Sequence, residues 1–297
     1  MTSTTTTADA AGTWQLGDLT VNRLGFGAMR LTGSAAFDLG EVRDRDRSIQ
    51  VLRRAVELGV NHVDTAAFYF SPLRSANELI NSALAPYADD LVIATKVGPG
   101  RDPSGAWLSP ARPDELRGQV EENLRQLGRD HLDVVNFRRM PTVESVAEHV
   151  GALADLREAG LIRHIGVSAV ERSHLEEALT ITPVVCVQNR FGIGSSPDAL
   201  DLLATCGDLG IAFVPFFAVA GTGAERGRSA SAEDEEVAAI ADAHGASPAQ
   251  VRLAWTLQQG AHVLAIPGTG NLGHLEQNVA AGALRLDESE LARLSRR

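Results

Sequence analysis

The feature that most constrains this chain is a repeated alternation. Short apolar runs are followed by longer runs whose apolar residues recur at helical spacing. Strands are expected at Leu24–Met29, His62–Thr65, Leu91–Thr95, Leu132–Phe137, Ile162–Val167, Val184–Gln188, Ile211–Pro215 and Val263–Ile266. Helices are expected at Ser48–Leu58, Asn77–Ala85, Pro113–Leu127, Thr142–Ala159, Glu171–Leu179, Pro197–Cys206, Glu233–Ala243, Pro248–Gln258 and Asn271–Ala280. Eight strands with interposed helices fit an α/β chain folded as a (β/α)8 TIM barrel. Gly59, Gly128, Gly160 and Gly210 each end a helical run just before a strand, where helices commonly stop on glycine. Pro113 and Pro248 occupy first-turn positions. Trp14–Val21, with Gly17-Asp18 between two short extended pieces, reads as a hairpin closing the barrel floor. An open doubly wound sheet is the competing architecture. Against it, no GxGxxG follows an early strand, and Gly25-Phe26-Gly27 is too short a match.

Composition supports one folded unit. A chain of 297 residues and 31.5 kDa suits a single barrel, and 44% hydrophobic with 22% charged residues argues against disorder. No stretch rich in Pro, Gly or Ser divides it. Residues 13–297 therefore read as one barrel domain behind a floppy tail over 1–12, with surface loops at Pro99–Arg112 and Gly221–Glu233. A net charge of -11 argues against nucleic acid or an anionic membrane as partner. No apolar run reaches transmembrane length, and no basic segment precedes an apolar core at the start. Cys186 and Cys206 form no CxxC pair, so a reducing cytoplasm is the expected compartment. The histidines are scattered without an HExxH, and no metal is expected. No heptad pattern forces a dimer, and a monomer is favoured.

In such a barrel the chemistry gathers where the strands end. Those ends carry Asp64, Lys96, Arg138, Ser168, Asn189 and the Pro215 segment. Tyr69 lies five residues after Asp64 in the same loop. A phenol has a pKa of about 10. A lysine ammonium beside it is expected to lower that value and make the hydroxyl a proton donor, with Asp64 orienting the lysine. An acidic tyrosine beside a cation suits carbonyl reduction, in which the oxygen gains charge as hydride reaches carbon.

The segment Asn61-His62-Val63-Asp64-Thr65-Ala66-Ala67-Phe68-Tyr69 resembles the strand-two signature of the aldo-keto reductase family. Ile93-Ala94-Thr95-Lys96-Val97 resembles its lysine-bearing strand three. Gly166-Val167-Ser168, Val187-Gln188-Asn189, Leu253-Ala254-Trp255 and Ile266-Pro267-Gly268-Thr269 through Glu276-Gln277-Asn278 resemble further segments in the family's order. The resemblance covers nearly the whole chain. It implies hydride transfer from a nicotinamide bound without a Rossmann domain, with Asp64, Tyr69 and Lys96 catalytic. It implies that Ser168, Gln188 and Asn189 hold the carboxamide and that Phe213 stacks on the nicotinamide, a core aromatic being the alternative. The loop Phe217–Gly223 corresponds to the segment beside the pyrophosphate.

Two departures stand out. Arg138 occupies the place of the family's strand-four histidine, and a branch resembling bacterial pyridoxal reductases carries an Asn-x-Arg end of this kind. That points to pyridoxal as substrate, its phenolate facing Arg138. A structural ion pair of Arg138 with Asp64 or a nearby acid, with activity lost, is the alternative. Secondly, Gly268, Thr269, Gly270, Asn271 and His274 stand where many relatives place Lys and Arg against a 2′-phosphate. Thr269, Asn271, His274 and the helix N-terminus remain to hold a phosphate, Gln277 and Asn278 to hold adenine, and Arg226 and Arg228 to swing over. NADP(H) is the expected cofactor, with NAD(H) as an alternative. The substrate mouth is read as Phe26, Met29, Phe68, Phe70, Trp107 and Arg139. The competing functions are the same chemistry on a keto-sugar or secondary-metabolite ketone, and a nicotinamide-binding regulatory subunit.

Overall fold

The computed structural model describes residues 6–33, 42–216 and 232–295. Its hairpin is β1 (Thr13–Leu16) and β2 (Leu19–Asn22), paired antiparallel. The main sheet holds β3 (Phe26–Gly27), β4 (His62–Asp64), β7 (Val92–Val97), β8 (Leu132–Arg138), β9 (Ile162–Ser168), β10 (Val184–Gln188) and β11 (Ala212–Phe213). Those strands run parallel in that spatial order. Parallel bridges from Phe213 to Val263 and from Leu24 to Ala265 close the sheet on itself. The expected last strand, Val263–Ile266, thus acts as the eighth stave through bridges instead of a continuous ladder. A small hairpin, β5 (Phe70–Ser71) with β6 (Arg74–Ser75), follows Tyr69.

Around the staves lie α1 (Arg45–Glu57), α2 (Ala76–Leu84), α3 (Leu116–Leu127), α4 (Ala147–Glu158), α5 (Arg172–Leu179) and α6 (Pro197–Asp208). They are joined by α7 (Ala232–His244), α8 (Pro248–Leu257), α9 (Leu272–Ala280) and α10 (Glu288–Ser295). Local chemistry sets their ends. Ser247 and Gln250 form a reciprocal cap before Pro248 opens α8. Gly128 closes α3 at φ 65°, a conformation that costs a side-chain-bearing residue more than glycine. The helix expected from Thr142 starts only at Ala147, and α10 lies beyond the last helix expected. The expected loop Gly221–Glu233 falls outside the described residues up to 231, and α7 takes over from there.

Strand alternation divides the core in two. One cluster lies inside the barrel: Val92, Ala94, Val134, Cys186, Ala212, Val214 and Leu264, with Leu16 and Val21 of the hairpin plugging its floor. The other, larger cluster fills the layer between sheet and helices. Of the expected floppy tail over 1–12, residues 6–12 are described, and they depart from that expectation. Ala8–Ala11 form a 3-10 turn with Ala8 and Ala11 buried, and the Ala8 amide donates to the Leu58 carbonyl. Apolar alanines that fit under the barrel are ordered despite their terminal position.

His62 faces inward two residues before Asp64. Its Nδ1 is buried without a partner, and a Cβ on Gly25 would fall 2.8 Å from it. Burial pulls its pKa from 6.5 to about 4, with Asp64 opposing and Lys96 assisting. Between those values the unfolded chain takes up a proton that the folded barrel refuses, so stability falls as pH drops through that window. At roughly 1.4 kcal/mol per pKa unit, the expected loss is about 3 kcal/mol. Urea unfolding across this pH range should show it, and His62→Leu should flatten the slope. An unchanged slope in the variant would show that another group carries it.

Candidate active site

The inward positions at the C-terminal ends of β4, β7, β8, β9 and β10 are Asp64, Lys96, Arg138, Ser168 and Gln188. Asp64 and Lys96 are both buried, and Lys96 Nζ donates to Asp64 Oδ1 at 2.6 Å and to the Thr65 carbonyl at 3.0 Å. The other carboxylate oxygen, Oδ2, accepts from Gln188 Nε2 at 2.7 Å. Lys96 also hydrogen-bonds the Tyr69 hydroxyl, and its Nζ lies 4.9 Å from the centre of the Tyr69 ring. The result is a continuous buried chain, Gln188–Asp64–Lys96–Tyr69.

Burial pulls the Lys96 ammonium toward neutrality, but Asp64 and Tyr69 outweigh it and its pKa ends above the ordinary value. The cation is therefore permanent at neutral pH. Tyr69 departs from expectation. Burial raises its pKa, and Lys96 and Arg138 only oppose that rise. The phenol thus stays protonated at neutral pH instead of being partly ionised.

The outward-facing neighbours brace this chain from behind. Thr65 Oγ1 donates to Asn77 Oδ1 of α2 at 2.7 Å, and Thr95 Oγ1 donates to Asn123 Oδ1 of α3 at 2.6 Å. Asn77 Nδ2 reaches Asn123 Oδ1 at 2.9 Å and joins the two helices. Each threonine is adjacent to a site residue, so this buried polar net fixes the spacing of the two strand ends. None of its members was singled out by the sequence reading.

Arg138 enters the mouth beside Ser168, with Nη1 3.4 Å from Ser168 Oγ and Cζ 5.0 Å from the Phe216 ring centre. Among the described residues it forms no ion pair, and both oxygens of Asp64 are taken by Lys96 and Gln188. The structural pairing of Arg138 with Asp64 is thereby excluded. Beneath it, Asn136 accepts a weak hydrogen bond from the Cys186 thiol at 3.3 Å.

Several candidates move. Phe213 is wholly buried, with its ring edge-on to Phe191 at 5.5 Å, in the layer outside the barrel. It cannot stack on a ligand in the mouth. The aromatic on the inward register is Phe216, whose amide bonds the Asn189 carbonyl. Phe26 is likewise sealed in the outer layer and lines no mouth. Asn189 spends its side chain on both backbone groups of Val170, at 3.1 and 2.6 Å. It shapes the loop after β9 instead of facing the carboxamide. Arg139 donates to the Ala169 and Val143 carbonyls at 3.2 and 2.8 Å, tying two loops together. Met29 is partly buried and Pro215 buried, and Phe217, Arg226 and Arg228 lie outside the described residues. Phe68, Phe70 and Trp107 do form an aromatic wall on one rim, with Phe68 and Trp107 ring centres 5.8 Å apart.

Gly268 packs against Gly27, where a Cβ would sit 2.5 Å from the Gly27 carbonyl oxygen, so its smallness is used by the barrel itself. Thr269 Oγ1 accepts from the Asn271 amide at 3.1 Å, and Asn271 caps α9 through the His274 amide. His274 and Gln277 are exposed, and Asn278 is buried. Across Gly270 lies a residue the sequence reading missed: Arg43, whose Nε sits 2.6 Å from where a Cβ would be. That Nε is buried without a partner, and among the described residues no carboxylate pairs with it. Burial, and then the charges of Arg47 and Arg30, hold its pKa below the ordinary value. No helix among the described residues is long and apolar enough to cross a membrane.

Comparison with known proteins agrees with this geometry. The pattern of the aldo/keto reductase family matches residues 23–296. Pyridoxine 4-dehydrogenase of Escherichia coli (strain K12) is 42% identical over 96% of this chain and 98% of its own length. A thermostable aldo-keto reductase solved with the inhibitor epalrestat superposes with a TM-score of 0.79 at 29% identity, covering 95% of this chain and 98% of that one. An aldo/keto reductase of Klebsiella pneumoniae, solved with NADP and acetate, gives 0.73 at 26% identity, covering 93% and 90%. With a closed parallel barrel and an Asp, Tyr and Lys joined at its mouth, this chain belongs to the aldo/keto reductase family, oxidoreductases that act on carbonyl groups.

Proposed function

We propose that this protein reduces an aldehyde with NADPH, that Tyr69 donates the proton, and that the substrate is pyridoxal. The observation that carries the reading is the buried Asp64–Lys96–Tyr69 chain opening beside a guanidinium with no carboxylate partner among the described residues. Reduced nicotinamide supplies the hydride when bound. Lys96 holds the Tyr69 hydroxyl in place and favours the phenolate left after proton donation. Arg138, a permanent cation with a fork of donors, suits an anionic oxygen next to the carbonyl. Pyridoxal carries such an oxygen beside its aldehyde. The 42% identity to a pyridoxine 4-dehydrogenase supports the same choice.

The residues present fit a nicotinamide cofactor. Gln188 Oε1 is buried and has no partner among the described residues, so it is a ready acceptor for a carboxamide N–H beside Ser168. Phe216 offers the aromatic face that Phe213 cannot. Thr269, Asn271 and the start of α9 suit a phosphate, with Gln277 and Asn278 toward adenine. Arg43 supplies the cation that the segment from Gly268 to His274 lacks, which favours NADPH over NADH.

The direct test is loss of NADPH absorbance with pyridoxal, run beside neutral aldehydes, keto-sugars and ketones. Fast pyridoxal turnover is expected. Tyr69→Phe should cut the rate by about a hundredfold or more while NADPH binding persists. A variant that keeps most of its rate would remove Tyr69 from the acid role. Arg138→His should raise KM for pyridoxal by roughly tenfold, the scale of one hydrogen bond to a charged group, and leave neutral aldehydes little changed. Equal losses for both classes would instead assign Arg138 to tuning Tyr69. For the cofactor, calorimetric titration of Arg43→Ala should show roughly tenfold weaker NADP+ binding with NAD+ binding unchanged. Matching losses for the two would discard Arg43 as the phosphate contact.

A further inference from the structure

We infer that Arg101, in the loop after β7, is the positioning residue for the catalytic tyrosine. This rests on the reading of Tyr69 as proton donor and adds the device that holds it there. One guanidinium nitrogen of Arg101, Nη1, donates to the carbonyls of Phe68 and Phe70, at 3.3 and 3.0 Å. These are the two residues that flank Tyr69. Nε of the same side chain donates to the Gly105 carbonyl at 2.9 Å, anchoring the clamp in its own loop. The guanidinium lies 4.7 Å from the ring centre of Phe70 and 5.7 Å from that of Trp107. An Arg101–Trp107 backbone bridge ties the two ends of that loop together.

The backbone of Tyr69 itself is held by two hydrogen bonds local to its loop. Its amide bonds Ala66 across a turn, and its carbonyl accepts from Ala76 beyond the β5–β6 hairpin. The segment between leaves the barrel wall, so only the two-residue β5–β6 ladder holds it and the main sheet does not. A planar fork can bond carbonyls while its face lies on an aromatic ring, which an ammonium does less well. Displacing a reacting group by about 1 Å can cost on the order of a hundredfold in rate. The same contacts join the acid to the rim that carries Trp107, so movement of that rim moves Tyr69.

A double-mutant cycle tests this, with kcat and KM for pyridoxal, or for the best carbonyl found, and NADPH affinity measured in each variant. Arg101→Met in the wild-type background should lower kcat by about tenfold to a hundredfold, with NADPH affinity unchanged. In the Tyr69→Phe background the same substitution should change kcat by less than about twofold, because Arg101 acts through the hydroxyl. Arg101→Lys, which keeps the charge and loses the fork, should also lose kcat. Equal losses in both backgrounds would mean a merely structural role and overturn the inference, as would full activity in either Arg101 variant. Full activity in Tyr69→Phe alone would overturn the proton-donor reading itself.

Discussion

An ammonium sealed inside an apolar barrel is tolerated only where its charge is matched, since burying an unpaired ion costs at least several kcal/mol. Much of the mouth of this molecule follows from that constraint at Lys96. Asp64 must lie beside it, which ties the end of β4 to the end of β7. Asp64 in turn has a second oxygen that needs a donor, and Gln188 supplies one from the far side of the barrel. The lysine's remaining donors reach the Thr65 carbonyl and the Tyr69 hydroxyl. Three separate stretches of sequence are thereby held to one another by a single charge. The braces behind them, from Thr65 and Thr95 to α2 and α3, make the spacing stiff instead of adjustable.

The architecture was largely legible because hydrophobic period reports burial directly. The barrel, its floor hairpin and most helices appear where the alternation places them. The parts that were misread share one cause. In a barrel strand, neighbouring residues face opposite layers, so a displacement of one position exchanges the mouth for the helix layer. Ala212 and Val214 face the interior, which sends Phe213 outward and brings Phe216 to the inward register. Asn189 is one step off Gln188, and Arg139 is one step off Arg138, and both serve loops. Parity is counted along a single strand, so it separates Arg138 from Arg139 but does not carry over to the strands that hold Gln188 and Phe213.

Other features leave no such trace. Arg43 meets Gly270 only because the barrel closes its first and last staves against each other. Arg101 reaches Phe68 and Phe70 from a different loop. Loop-borne arginines carry no periodicity, and the partners of Arg101 are backbone groups that every residue possesses. The raised pKa of Tyr69 was missed for a related reason. A neighbouring cation can be guessed from spacing, whereas the extent of burial, here the larger effect, belongs to the folded packing.

That reversal changes how Tyr69 would work as the proposed proton donor. A phenol whose pKa is lowered toward neutrality would be partly ionised before any substrate arrived. With the phenol kept neutral by burial, the proton is present on nearly every molecule at physiological pH, and Lys96 acts when negative charge develops on the oxygen. Gln188 extends this economy of roles. Its amide nitrogen is committed to Asp64, while Oε1 has no hydrogen-bond partner among the described residues, and leaving a buried acceptor unmatched costs about 1–3 kcal/mol. A ligand donor at that oxygen would recover the cost. The same contact would fix the amide that holds Asp64.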